Sequence, residues 1–162
     1  MSGILIIGYG SALRGDDAIG LYAARELESQ FHGDPEVEVI SCHQLTLEMA
    51  DDISRSELVI FLDASCKGKP GTVRCAPISL ENGPGGFSHQ LEPASLIAAA
   101  EQLYGEVPKA FSITLTGWSF EMGSKLSRGA HLQLPELIHR TREVVASHRK
   151  QFAGEAATSR AI

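Results

Sequence analysis

The sequence predicts an α/β fold: a three-layer sandwich whose twisted, mostly parallel sheet of about five strands carries helices on both faces. Three observations predict it. The runs "ILII" (Ile4–Ile7) and "LVIFL" (Leu58–Leu62) are aliphatic without polar alternation, as in strands covered on both sides. Other stretches repeat apolar residues every three or four positions, the period of a helix with one buried stripe. The two kinds of stretch alternate along the chain, which parallel strands joined by helical crossovers require.

Taken in order, Ile4–Ile7 is the first strand, ended by glycine. Ile19, Ala23, Leu27 and Phe31 form one stripe of the first helix. Val37–Cys42 is the second strand. Leu47, Met49, Ala50 and Ile53 suit a short helix with Thr46 as its N-cap. Leu58–Asp63 is a third strand that stops on an acid. Thr72–Ile78 is a weaker one, pushed to an edge by Pro77. Glu81–His89, "ENGPGGFSH", reads as loop, with Gly83–Gly86 as a plain connection or a flap. Pro93 opens a helix carrying Leu96, Ile97, Ala100, Leu103 and Tyr104, because proline lacks only an N–H that the first turn leaves unpaired. In Ala110–Thr116 the residues Phe111, Ile113 and Leu115 share one face of a strand. A last helix is expected from about Pro135, with Leu137, Ile138, Thr141, Val144, Val145 and Phe152.

The 162 residues suit one domain over 1–152, with 153–162 as a flexible C-terminal tail lacking apolar periodicity. A net charge of −6 argues against nucleic acid as partner, since such binding needs a basic face to displace counterions. Ile4–Ile7 is too short for a membrane span and follows no basic segment, so the chain reads as cytoplasmic. Cys42, Cys66 and Cys75 are an odd set without paired spacing, expected as reduced and mostly buried thiols.

The stretch "GYGSALRGDDAIG" (Gly8–Gly20) begins like a phosphate loop and ends unlike one. The dinucleotide fingerprint would need glycine at Leu13, and the P-loop would need lysine and a hydroxyl at Asp16 and Asp17. Two carboxylates repel the anion such a loop would hold. One of them can cap the helix that follows; the other is free to act as a hard ligand for a divalent cation. Asp63, directly after "LVIFL", is expensive to bury unless paired or liganded, although an Asx-turn at the strand end would also account for it. His89 closes the glycine-rich loop. In a parallel sheet ligands gather at the carboxyl ends of the strands, so Asp17, Asp63 and His89 could form an O/O/N set suited to zinc, nickel or iron. Spacing alone does not bring them together.

These stretches also resemble a known family in order. "GYGSALRGDDAIG" resembles the opening signature of the endopeptidases that mature [NiFe] hydrogenases. "HQLTLEMADDIS" (His43–Ser54) is similar to their second signature, roughly HQLTPELA, and "LVIFLDAS" (Leu58–Ser65) to their third-strand motif. "SHQLEPASLIAAAEQLYG" (Ser88–Gly105) and "ITLTGWSFEMGSKLS" (Ile113–Ser127) resemble the histidine-plus-helix segment and the late strand and turn. The likeness runs to about Val145. Ser11 stands where asparagine is common, which puts the loop turn in question, and Leu47 where proline is common.

The resemblance implies an endopeptidase that removes the C-terminal extension of a nickel-loaded hydrogenase large-subunit precursor. It assigns metal contact to Asp17, Asp63 and His89, the same residues being catalytic. The Ni2+ is supplied by the precursor, and other divalent cations such as Zn2+ can occupy such donors. Asp16, His43, Gln44 and Glu121 are the candidate substrate contacts, although His43 and Gln44 equally suit a loop that caps a helix and bracing its turn is the favoured role for Glu121. Cleavage could run through carbonyl polarisation by the metal or through a carboxylate base; no H-E-x-x-H, G-x-S-x-G or Cys–His pattern is present. Two other readings use the same residues: a nickel-sensing chaperone that grips the precursor without cutting it, and a flavodoxin-like binder of a small molecule. His131, His139 and His148 read as residues of a solvated helix face.

Overall fold

A computed structural model describes residues 3–80 and 90–161. Among them five strands form one sheet: β1 (Ile4–Tyr9), β2 (Val37–Cys42), β3 (Leu58–Ser65), β4 (Val73–Pro77) and β5 (Lys109–Thr116), in the order β2-β1-β3-β5-β4. β1, β2, β3 and β5 are parallel, and β4 runs antiparallel to β5 at the edge, where Pro77 lacks a ladder N–H at little cost. The helices described are α1 (Ile19–Gln30), α2 (Met49–Ser54), α3 (Pro93–Tyr104) and α4 (Arg128–Arg160), with a 3-10 turn at Gly15–Ala18 ahead of α1.

The continuous aliphatic strands are covered on both faces, as their composition requires. Ile4, Ile6, Ile60, Leu62, Ile113 and Leu115 pack against Ile19, Ala23 and Leu27 of α1 and Ala130, Leu137, Ile138 and Val145 of α4. On the opposite face Leu5, Ile7, Val59 and Phe61 meet Ala50 and Ile53 of α2 and Leu96, Ile97 and Ala100 of α3. Three layers result, as expected. Leu103 and Tyr104, read as part of the α3 stripe, are exposed past its last buried turn.

Several local expectations are corrected. α4 starts at Arg128, not near Pro135, because Ser127 is its N-cap and accepts the Ala130 amide at 3.1 Å. Pro135 therefore lies inside the helix, at the cost of one backbone hydrogen bond. The stretch expected as a flexible tail from residue 153 is helical as far as Arg160, the end of α4, with residues 151–161 all exposed. The N-cap of α2 is Glu48; Thr46 stands two residues earlier, its carbonyl accepting the Met49 amide. The three cysteines are free but not mostly buried: Cys66 lies in the turn after β3, Cys75 on the edge strand, and both are exposed, while Cys42 is half-buried. His148 is buried beside Phe152 rather than solvated. No helix among the described residues is long and apolar enough to cross a membrane.

The chain leaves β1 for β2 on one side and returns to β3 on the other, so the connections diverge between β1 and β3. Their carboxyl ends frame the crevice that such a switch point creates. α1 is seated there without side chains in between. A Cβ built on Gly20 would lie 2.4 Å from the Leu62 carbonyl oxygen and 2.7 Å from that of Tyr9. Only backbone opposes it, and backbone cannot swing away. Gly20→Ala should therefore lower the unfolding free energy by about 1–3 kcal/mol through overpacking, measured by urea denaturation.

Candidate active site

The cleft at the switch point has a volume of about 450 Å³. It is lined from β1 and its loop by Tyr9, Gly10, Ser11, Leu13, Arg14 and Asp17, and from the end of β3 by Asp63 and Ala64. His43, Gln44 and Leu45 follow β2 into it, and Gln90, Leu91 and Met122 complete it. Two carboxylates far apart in sequence thus open into one space.

The glycine loop is filled by the chain itself. Gly10 has φ +145°, and a Cβ there would sit 1.9 Å from the Asp17 carbonyl oxygen, so the loop closes only around glycine. The Asp17 carboxylate accepts the Ser11 amide at 2.7 Å, occupying an N–H that a phosphate loop would offer its anion. Among the described residues no non-glycine residue has positive φ, so Ser11 fits in place of asparagine. Its hydroxyl accepts the Leu13 amide at 3.3 Å.

Asp63 accepts the Ala64 amide at 2.7 Å and a hydrogen bond from the Tyr9 hydroxyl. Burial pushes its carboxyl up to about 6; the two hydrogen bonds oppose the rise, and the charge of Asp17 adds to it. Tyr9 is held far above the ordinary phenol range, first by burial and then by the neighbouring Asp63 charge.

Asp16 behaves differently from its neighbour. Its side chain has no exposure, and its carboxylate accepts the amides of Trp118 (2.7 Å), Ser119 (3.3 Å) and Ser127 (2.7 Å) and the Ser127 hydroxyl (2.8 Å). Burial alone would raise its pKa; the donors from Ser127, Trp118 and Ser119 hold it below the usual carboxylate range. Neither aspartate caps the helix that follows, since neither the 3-10 turn nor α1 has a side-chain cap.

Known proteins give this arrangement its context. No family model matches the chain. The Escherichia coli K12 protein described as hydrogenase 2 maturation protease is 30% identical over 120 residues, 70% of this chain and 71% of that protein. The chain belongs to the hydrogenase maturation protease family. The E. coli hydrogenase maturating endopeptidase HybD has the same fold, with a TM-score of 0.72 and 26% identity over 93% of this chain and 94% of that one. The [NiFe] hydrogenase maturation protease HycI of Thermococcus kodakarensis KOD1 superposes with a TM-score of 0.73 at 23% identity, covering 90% and 93% of the two chains.

The fold of this maturation protease brings together Asp17, Asp63, His43 and Gln44 of the expected site residues. His89 and the segment Gly83–Gly86 lie outside the described residues. Among those described, no group of three His, Cys, Asp or Glu residues could hold a metal ion. Asp16, expected at the substrate surface, is instead buried and braces three segments. Glu121 is exposed but does not line the cleft; its backbone carbonyl accepts the Ser124 amide and hydroxyl, which leaves Met122 at the wall. Sequence reasoning missed Tyr9, whose pairing with Asp63 across β1 and β3 no local pattern announces.

Two outcomes follow from this chemistry. Asp16→Ala should cost about 3 kcal/mol or more, because buried donors lose a charged acceptor, read as a lower urea midpoint with Asp16→Asn in between. For Asp63 the folded pKa lies above the unfolded one, so its proton favours the folded state. That stabilisation is full below about pH 4 and is lost as pH rises through about 6. Asp63→Asn should therefore be roughly 1–2 kcal/mol more stable than the parent at pH 8, the difference vanishing near about pH 4, in paired thermal unfolding curves.

Proposed function

We propose that this maturation protease removes the C-terminal extension from a nickel-loaded [NiFe]-hydrogenase large-subunit precursor, and that the precursor's own nickel is the feature it recognises. The observation carrying the reading is the convergence of Asp17 and Asp63 on one cleft at the sheet's switch point. Gln90, which follows His89 in sequence, lines the same cleft and is consistent with His89 as the third contact.

The chain's residues do the following. The Ser11 amide holds one oxygen of Asp17, and the Ala64 amide and Tyr9 hydroxyl hold Asp63. Both carboxylates are thereby oriented before any substrate arrives, which lowers the ordering cost of binding. A precursor displaying a cation supplies the positive charge these acids lack. One without it leaves two carboxylates facing each other with no counter-charge, and docking is disfavoured. The site thus selects for completed metal insertion by electrostatics. Zn2+ fits the same donors by ligand type.

Nickel-loaded precursor incubated with the protein should lose its extension, read as a mass decrease of the large subunit. Asp17→Asn, which can still accept the Ser11 amide, and His89→Ala should each slow this by roughly a hundredfold or more with unfolding midpoints near the parent value. An unchanged mass with the parent protein, or parent-like processing by both variants, would refute the proposal.

A further inference from the structure

Outside the carboxylates, the cleft carries two large apolar side chains that the core does not use. Leu13 is 66% exposed and Met122 73% exposed, and both line the cleft. They stand on different segments, one after β1 and the other after β5, yet those segments are joined backbone to backbone. The Gly123 amide donates to the Leu13 carbonyl at 2.7 Å, the Gly15 amide to the Ser124 carbonyl at 3.2 Å, and Arg14 and Ser124 form an isolated parallel bridge. The Asp16 amide adds a bond to the Ser119 carbonyl at 2.9 Å, while its carboxylate gathers Trp118, Ser119 and Ser127. These bonds tie the two segments into one wall, and its apolar tips face the cleft rather than the core.

We propose that the Leu13–Met122 wall is an apolar subsite that seats an aliphatic or aromatic side chain of the precursor segment beside the scissile bond. The inference rests on the function proposed above and adds a specificity element to it. Continuity identifies the occupant: the wall and the two carboxylates border one space, so a peptide brought to the carboxylates enters the cleft that the wall lines. Exposed apolar side chains on a preformed ledge gain by covering, and a well-ordered ledge loses little entropy in doing so. Asp16 serves this subsite as a positioning residue, acting through the backbone it ties.

The test uses the nickel-loaded precursor at varied concentration, with both its binding and the release of its extension measured. Leu13→Ser and Met122→Ser should each raise KM and weaken binding by roughly tenfold, with kcat and unfolding midpoints nearly unchanged. Leu13→Met, which keeps the apolar contact, should behave like the parent. Leu132→Ser, at a residue 70% exposed on α4, is the control and should change nothing. Binding and KM within twofold of the parent in the double Leu13→Ser/Met122→Ser variant would overturn the subsite while leaving the proposed function standing. A parent protein that binds but does not cut refutes the cleavage reading and leaves the subsite to be judged by affinity. A parent that neither binds nor cuts refutes both.

Discussion

The buried carboxylate of Asp16 is the constraint on which the site's geometry depends. A charge without solvent exposure survives only when its lone pairs are filled, and here four donors from two segments fill them. One pair of donors belongs to the turn after β5. The other belongs to Ser127, which is also the N-cap of α4. Through one side chain the loop after β1, the loop after β5 and the start of the longest helix share a fixed position. With Asp16 committed inward, its neighbour Asp17 is directed into the cleft.

Topology provides the rest. Because β1 and β3 are adjacent but not consecutive, loops leaving their carboxyl ends diverge and leave a crevice. α1 fits against that edge only because Gly8 and Gly20 let backbone meet backbone: a Cβ on Gly8 would lie 2.2 Å from the Gly20 carbonyl oxygen. The same contact brings Asp17, one turn earlier, opposite Asp63. The proton affinity of Asp63 reflects this placement, since burial and the charge of Asp17 raise it together. In this maturation protease the fold thus holds two acids from distant parts of the chain at one cleft.

Much of this was legible from residue patterns, and the failures have definite causes. "ILII" and "LVIFL" announce two-sided strands because nothing polar interrupts them, and Pro77 marks the edge because a central strand cannot spare its N–H. Pro135 misled, since proline suits a first turn but does not demand one; Ser127 set the start of α4. The pair Asp16 and Asp17 reads in sequence as a helix cap and a free acid. Neither caps, because partners 102 to 111 residues away outbid local amides for Asp16, and the Ser11 amide takes Asp17.

By itself the sequence determined the layers, the strand-and-helix alternation, the acids after the first glycine loop and at the end of the third aliphatic run, and the membership of a maturation protease family, since these rest on local periodicity and ordered motifs. Tertiary structure alone decided which aspartate turns inward, that Tyr9 supports Asp63, and that Met122 rather than Glu121 borders the cleft. The physical reason is range. Periodicity reports on neighbours a few residues apart, whereas hydrogen-bond satisfaction of a buried charge is settled by whatever donors the folded chain brings within about 3 Å.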